Sequence, residues 1–162
     1  MTSQEQNFYS LIGQISIGFS NLESQIKKII GLLIKLDDEF VNQIISEDNN
    51  ISQNLKLLLK LTKYRSVEEG RIKALHNSID KIRINRNLFI HGLWKLYEDE
   101  NGLKFVCEIK KVEFKKVTHG IATYLNKFLE FKPEDFDEEL IQIKNCSQIA
   151  EEIILELEKE RF

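Results

Sequence analysis

The stretch from Arg83 to His91, RINRNLFIH, carries the side chains best suited to chemistry in this sequence. Arg86 continues an apolar stripe whose members are spaced by three and four residues. Its permanent charge would therefore lie on a core or interface face and would need an anionic partner. Asn87 and His91 are i,i+4 neighbours on an adjoining polar stripe. Gly92 follows and leaves the histidine uncrowded.

An arginine and a histidine that act together suit the cleavage of a phosphodiester bond. A guanidinium can bind two phosphate oxygens and stabilise the charge of the transition state. An imidazole can accept or donate a proton near neutral pH. The sequence has no CxxC motif and no cysteine–histidine cluster, so it indicates no metal site. The nucleophile would then come from the substrate, and RNA carries one in its 2′-hydroxyl group.

Apolar periodicity predicts the helices that must position these side chains. One face with spacings of three and four predicts a first helix over about 5–36, and another predicts a helix from 51 to about 65. A short helix is expected near 38–46. Ser66, with Glu69 three residues later, has the pattern of a capping box, which predicts the start of the helix that carries the arginine–histidine stretch.

The region before the last helix has the pattern of a β-hairpin. Asn101-Gly102 lies between two aromatic-rich runs, which is a strong turn signal. Residues 111–132 could form a third strand or a short helix. Pro133, followed by acidic residues, predicts the start of a last helix that reaches about residue 160. The sequence thus predicts a mainly α fold, a four- to five-helix bundle in a single domain over 1–162, with a small hairpin inserted before the last helix.

Composition excludes several classes of protein. The 162 residues, 42% hydrophobic and 30% charged, are typical of one globular domain. The N-terminal segment lacks a signal sequence, and no apolar run is long enough to cross a membrane. We therefore expect a cytoplasmic protein. Cys107 and Cys146 are expected to be small core residues rather than a disulfide.

The charges are segregated along the chain. The net charge of −3 argues against a simple polyanion binder, but residues 56–95 hold ten basic and three acidic side chains. Residues 128–162 hold four basic and eleven acidic side chains. The basic segment would form a local positive surface if it lies on one side of the fold, or its lysines and arginines could simply solvate helix surfaces.

Arg86-Asn87-x₃-His91, at the end of a long helix in a small bundle, resembles the R-polar-x₃-H form of the Rx₄₋₆H motif of the HEPN (higher eukaryote and prokaryote nucleotide-binding) superfamily. The resemblance implies a metal-independent endoribonuclease that needs no cofactor and leaves a 2′,3′-cyclic phosphate. It also implies a homodimer in which two motif helices form a composite cleft. A role as a toxin or in phage defence or stress would follow, with an antitoxin or other partner protein possible.

The resemblance assigns a role to each matching residue. Arg86 would hold the scissile phosphate, His91 would transfer protons and Asn87 would orient the site. Glu23 is a candidate for the acidic residue that family members often carry in the first helix, where it could pair with Arg86. Arg83 would support the site.

Two further residues, Trp94 and Lys95, are candidates for contacts with the substrate, because an aromatic ring beside His91 could stack a base. Trp94 and Tyr97 could instead pack the hairpin against the bundle, which is the favoured interpretation. A second arginine–histidine pair at the same spacing, Arg71 and His76, lies in mid-helix without a polar residue after the arginine, and we interpret it as a chance occurrence.

A non-catalytic alternative remains open. Arg86 could be a structural arginine paired with Glu23 at a dimer seam, and His91 could interact with the end of its helix. The chain would then be a helical interaction module that uses the same apolar stripe to bind a partner. Among the other polar residues, His119 is expected in a turn, and the acidic cluster 134–139 is expected to be a solvated helix start.

Overall fold

The computed structural model describes residues 2–34, 49–100, 102–114 and 122–159. Four helices and three strands are described in this part of the chain. They are α1 (Ser3–Ile34), α2 (Ile51–Arg65), α3 (Glu69–His91), β1 (Leu93–Asp99), β2 (Gly102–Phe114), β3 (Ala122–Phe131) and α4 (Pro133–Lys159). The helices predicted near 5–36, 51–65 and 133–160 are confirmed. The short helix expected near 38–46 and the turn expected at His119 lie outside the described residues.

The longest helices, α1 and α4, pack along each other, and α2 and α3 complete the bundle. The face of α1 that carries the three-and-four spacing is the buried one, since Phe8, Ile15, Leu22 and Ile26 are all almost fully buried. Burial of that apolar face is the main reason why so long a helix is stable, because isolated helices are marginal in water. No helix among the described residues is both long and apolar enough to pass through a membrane.

The capping box lies at the start of α2 rather than α3. The Gln53 N–H donates to the Asn50 side chain at 3.0 Å, and the Asn50 N–H donates to the Gln53 side chain at 2.9 Å. The box predicted at Ser66 is wrong: Ser66 ends α2 with φ 54°, and Glu68 precedes α3 with φ 50° and no side-chain cap. The tight left-handed turn between the helices prevents the extended backbone that an N-terminal cap requires.

A three-stranded antiparallel sheet, in the order β1-β2-β3, replaces the simple hairpin of the prediction. The turn after β1 falls where Asn101-Gly102 predicts it, and Gly102 has φ 101°. For the described residues of 111–132 the structure shows strands: β2 continues to Phe114, and Ala122–Phe131 forms β3. Antiparallel pairing of β3 with β2 explains this choice, because it satisfies the backbone hydrogen-bonding groups of both strands.

Aromatic rings join the inner face of the sheet to the helices. Phe8 of α1 stacks on Phe105 of β2, with ring centroids 4.7 Å apart. Phe136 of α4 contacts Phe105 from the edge, and Trp94 packs among these rings while its indole N–H donates to the Phe89 carbonyl at 3.0 Å. The packing interpretation of Trp94 is therefore confirmed. The ring contacts and the indole hydrogen bond of Trp94 hold the start of β1 close to the end of α3.

The outer face of the sheet is largely exposed. Lys95 is exposed, and the side chains of Leu93 and Tyr97 on the same strand are each 53% exposed. The expectation that Tyr97 packs the hairpin onto the bundle is wrong, because side chains alternate along a strand and Tyr97 lies on the face opposite Trp94. Cys107 and Cys146 are buried as expected, and burial raises the pKa of both thiols.

Candidate functional site

Arg86 occupies the position on α3 that its spacing predicts. The apolar stripe around it, including Ile82 and Phe89, is buried in the core, and Arg86 is half-buried. Its guanidinium lies over the Phe19 ring of α1, 5.6 Å from the ring centroid. One guanidinium N–H group donates to the Asn87 side chain at 3.3 Å. The aromatic face thus partly compensates the charge of Arg86, as a cation–π contact does.

A cavity of about 580 Å³, the Arg86 cavity, lies between α1, the first turn of α2 and α3. Its volume falls within the range of small-ligand sites. The polar residues that line it include Glu23 and Lys27 from α1, Ser52 and Asn54 from α2, and Arg83, Arg86 and Asn87 from α3. Three elements that are distant in sequence therefore bring two carboxamides, one carboxylate and three cationic groups to a single space.

The expected ion pair between Glu23 and Arg86 does not form. The two side chains share the cavity, but among the described residues no carboxylate lies within salt-bridge distance of Arg86. Burial raises the pKa of the Glu23 carboxyl group, an effect larger than the opposing attraction of Arg86 and Lys27. Arg83, by contrast, is neutralised by Asp80, with an N–O distance of 2.9 Å. Within the described part of the chain, Arg86 and Lys27 are thus the cations of the cavity that form no ion pair.

Two buried polar atoms at this cavity have no hydrogen-bond partner in the described structure: the Asn54 side-chain oxygen and the Arg86 Nε. Asn54 is only 2% exposed, and its amide donates to the Asn49 carbonyl at 3.4 Å. Buried polar groups are usually satisfied, because an unsatisfied one costs about 1–3 kcal/mol. Because both atoms lie at the same cavity, a ligand bound there could form hydrogen bonds with them.

The first turn of α2 adds a further positive group to the cavity. The capping residue, Asn50, satisfies the Gln53 N–H, whereas the N–H groups of Ile51 and Ser52 have no acceptor within a helix because of their position. The helix dipole concentrates partial positive charge at this end. Helix N-termini of this kind bind anions when side chains of the right charge accompany them.

His91 lies elsewhere. It is exposed at the end of α3, in a depression of about 330 Å³, the His91 depression, whose lining includes Asn87 and Glu108. Positions five apart on a helix differ by about 140° in direction, so Arg86 and His91 point to different sides of α3. Asn87 lines both spaces. A single chain therefore does not bring the arginine and the histidine into one cavity.

Gly92 ends α3, and glycine is needed there because of limited space rather than because of its backbone angles. Its N–H donates to the Leu88 carbonyl at 2.9 Å, and its φ of −73° is open to any residue. A Cβ atom at this position would lie 2.1 Å from the Cys107 sulfur and 2.6 Å from the Leu88 carbonyl oxygen. The close approach of β2 to the end of α3 therefore requires glycine directly after His91.

The second arginine–histidine pair has a structural role. Arg71 forms ion pairs with Glu152 at 2.6 Å and Glu156 at 2.7 Å, which fasten α3 to α4. His76 interacts with the adjacent Asn77 side chain instead. The interpretation of this pair as a chance occurrence is therefore supported. The two candidates for substrate contacts differ in exposure. The Trp94 ring is packed within the aromatic cluster, whereas Lys95 is exposed.

One buried carboxyl group, that of Glu139, is not predicted from the sequence. Glu139 is 3% exposed, although the cluster 134–139 was expected to be solvated. One carboxyl oxygen accepts a hydrogen bond from Asn85 at 2.9 Å, while the other is buried without a partner. The signal was present in the spacing, since Glu139 lies three residues after Phe136 and four before Ile143, both of which are buried.

Replacing Glu139 by glutamine is expected to make stability less dependent on pH. Burial raises the pKa of Glu139 more than the Asn85 hydrogen bond lowers it. A raised pKa in the folded state gives stability that is present below the ordinary value of 4.5 and is lost as the pH rises through the folded value. The free energy of unfolding of Glu139→Gln, measured by urea denaturation, should therefore gain on the wild type as the pH increases above 4.5.

Glu138→Gln is the matched control, because Glu138 is the exposed neighbour on the same helix. The control should follow the wild-type pH profile. Parallel profiles for Glu139→Gln and the wild type would contradict the assignment of a buried, hard-to-ionise carboxyl group.

The described residues contain no group of three or more histidine, cysteine, aspartate or glutamate side chains placed to hold a metal ion. Comparison of the chain with protein-family models, curated proteins and solved structures finds no match.

Proposed function

We propose that the protein is a metal-independent endoribonuclease. The observation that carries the proposal is Arg86, a cation without a carboxylate partner among the described residues, which lies beside Lys27 and the N-terminus of α2 in a cavity. Such a set of groups favours a phosphate over a neutral ligand. His91 at the exposed end of the same helix supplies the group that can move a proton.

The proposed reaction needs no nucleophile from the protein. The 2′-hydroxyl oxygen of the RNA attacks the adjacent phosphorus atom, and the bond from phosphorus to the 5′-oxygen of the next nucleotide breaks. The products are a 2′,3′-cyclic phosphate and a free 5′-hydroxyl group. His91 accepts the proton of the attacking hydroxyl, and the imidazolium so formed, or water, donates a proton to the leaving oxygen. Arg86 binds a phosphate of the substrate and thereby positions the chain.

A homodimer fits this scheme better than a monomer. The lining of the His91 depression contains Glu108 but no lysine or arginine among the described residues, so the described part of one chain offers no cation there to stabilise the transition state. A second copy placed against α3 would bring its own basic residues to His91, as in the composite cleft that the family resemblance implies. Sedimentation of the purified protein as a dimer is the expected result, and a strict monomer would contradict this part of the proposal.

The basic segment supports an approach of RNA along α2. Lys56, Lys60 and Lys63 recur at spacings of four and three, are exposed, and form no ion pair with the described residues. They extend from near the Arg86 cavity towards the C-terminal end of the helix, and lysines on such a stripe interact with the phosphates of a nucleic acid without reading its sequence. The positive surface would guide RNA to the cavity.

Arg86→Gln should lower the kcat/KM of RNA cleavage by about 10- to 100-fold, since the loss of a charge-assisted hydrogen bond costs that much. The measurement is the cleavage of mixed RNAs in excess EDTA, with detection of cyclic-phosphate ends. Arg71→Gln is the control, because Arg71 is in the same helix but pairs with Glu152 and Glu156. Equal activity in Arg86→Gln and the wild type would rule out the proposed role.

A second candidate function is a non-catalytic interaction module. The apolar stripe of α3 cannot bind a partner protein, because it is buried within the chain. Exposed apolar side chains near His91 favour such a module instead: Ile84 is 50% and Leu93 53% exposed. If this function is correct, Ile84→Glu will disrupt association measured by sedimentation while the wild type shows no RNA cleavage. A wild-type protein that cleaves RNA in EDTA would reject it.

A further inference from the structure

We infer that the Arg86 cavity is a binding site for a phosphate monoester, that is, a terminal phosphate group rather than a phosphate within a chain. The ligands would be the Arg86 guanidinium, the Lys27 ammonium and the N–H groups of Ile51 and Ser52 at the start of α2. The inference rests on the proposed function only in assigning phosphate binding to Arg86, and it specifies which kind of phosphate the substrate presents.

Charge is the first argument for a terminal phosphate. A phosphodiester carries one negative charge, whereas a phosphate monoester carries about 1.5–2 at neutral pH and offers three oxygen acceptors. The cavity contains two cations without an ion-pair partner in the described structure, Arg86 and Lys27, and the positive end of a 15-residue helix. Glu23 is the opposing carboxylate, and Arg83 is already neutralised by Asp80. With about half a positive charge for the helix end, these groups have a net charge of about +1.5, which a monoester carrying about −1.5 neutralises and a diester carrying −1 does not.

The unsatisfied polar groups are the second, independent argument. Asn54 is almost fully buried and lines the cavity, and among the described residues its side-chain oxygen has no hydrogen-bond donor and the Arg86 Nε has no acceptor. A bound phosphate supplies acceptors for the arginine, and the hydroxylated sugar that carries it supplies a donor for a carboxamide. The cavity therefore offers one donor and one acceptor that a bound ligand could satisfy.

The shape of the site is the third argument. Helices α1, α2 and α3 all line the cavity. Its volume of about 580 Å³ is larger than that of a phosphate group. An internal phosphate must be flanked by chain on two sides, whereas a terminal phosphate needs a single path of entry. The site thus accommodates the phosphorylated end of a nucleotide or of an RNA chain.

Isothermal titration of the full-length His91→Ala protein in EDTA tests the inference without cleavage of the probe. The probes are inorganic phosphate, a ribonucleoside 5′-monophosphate, and a hexaribonucleotide with either a 5′-phosphate or a 5′-hydroxyl end. We expect the phosphorylated hexamer to bind at least about tenfold more tightly than the hydroxyl form, the equivalent of one charge-assisted hydrogen bond. Equal binding of the two hexamers would overturn the inference.

Lys27→Gln and Lys28→Gln are the matched pair that locates the binding. Lys27 lines the cavity, while its neighbour Lys28 pairs with Glu158 on α4 at 2.8 Å. Lys27→Gln should weaken binding of the phosphorylated probes about tenfold and Lys28→Gln should leave it unchanged, with melting temperatures confirming that both fold. Identical affinities in the two variants would place the phosphate elsewhere and overturn the inference.

The source of the phosphate follows from the same titrations. Tighter binding of the phosphorylated hexamer than of the mononucleotide identifies an RNA end, and equal binding identifies a small nucleotide; both support a phosphate monoester site. Failure of the proposed function is distinguishable, because absence of RNA cleavage by the wild type would leave phosphate binding at Arg86 and Lys27 intact.

Discussion

Replacement of His91 by alanine is expected to lower the rate of RNA cleavage by about 10²- to 10⁴-fold, the usual contribution of a positioned acid or base. The imidazole is the group at the end of α3 that can transfer a proton to or from the ribose and leaving-group oxygens. Because His91 is exposed, its loss should leave the fold intact. The measurement is the single-turnover rate of RNA cleavage in excess EDTA, beside the melting temperature.

His76→Ala is the matched control for this experiment. His76 is the other histidine of α3, and its ring interacts with Asn77 rather than lining either candidate space. The control should cleave RNA at the wild-type rate. Full activity in His91→Ala would show that the cleavage, if observed, does not depend on the arginine–histidine motif, and it would remove the basis of the proposed function.

Gly92→Ala is expected to destabilise the protein by about 3 kcal/mol, the upper range for an inserted methyl group in a packed site. The new Cβ would meet the Leu88 carbonyl oxygen, which is backbone and cannot turn aside, as well as the Cys107 sulfur. Relief of the Cys107 contact would require the end of α3 to move away from β2, and relief of the Leu88 contact would require the backbone after His91 to change, so His91 would be displaced. The free energy of unfolding, measured by urea denaturation, should fall, and cleavage should fall with it.

Gly13→Ala provides the comparison, because a Cβ at Gly13 meets nothing within 4 Å in the middle of α1. That substitution should stabilise the protein by up to about 1 kcal/mol through helix propensity. Adding Cys107→Ala to Gly92→Ala should recover only part of the loss, since the contact with the Leu88 carbonyl remains. A Gly92→Ala protein as stable as the wild type would show that the end of α3 can relax freely.

Periodicity was sufficient to predict the long helices, because each buries one apolar face and the spacing of that face is a property of the helix itself. The predictions that failed or stayed open concern features that depend on neighbouring elements rather than on one helix. Ser66 and Glu69 match a capping box, but the length of the α2–α3 connection decides the backbone angles at Ser66. Residues 111–132 have no decisive periodicity, and pairing of β3 with β2 selects the strand.

The candidate site was predictable in its α3 component and in Glu23 of α1. Arg86 and Asn87 stand out by residue type and spacing, and Glu23 stands out on the flank of the first helix. Nothing in the sequence links them to Lys27 or Asn54, because that link depends on how α1 and α2 pack around α3. Glu139 differs from these residues, because its spacing from Phe136 and Ile143 already placed it on the buried face of α4. Its charge led to the expectation that it would be solvated.

By itself, the sequence determined the helices, the turn at Gly102 and the order of Arg86, Asn87 and His91 along α3, since these follow from local geometry and from the burial of apolar faces. The sequence was interpreted to bring Arg86 and His91 together, which is wrong for a single chain, because positions five apart on a helix point to different sides. Only the tertiary structure decided what each one meets. Packing of three helices surrounds Arg86 with a cavity and leaves it without a carboxylate partner among the described residues, whereas the end of α3 exposes His91 beside the sheet.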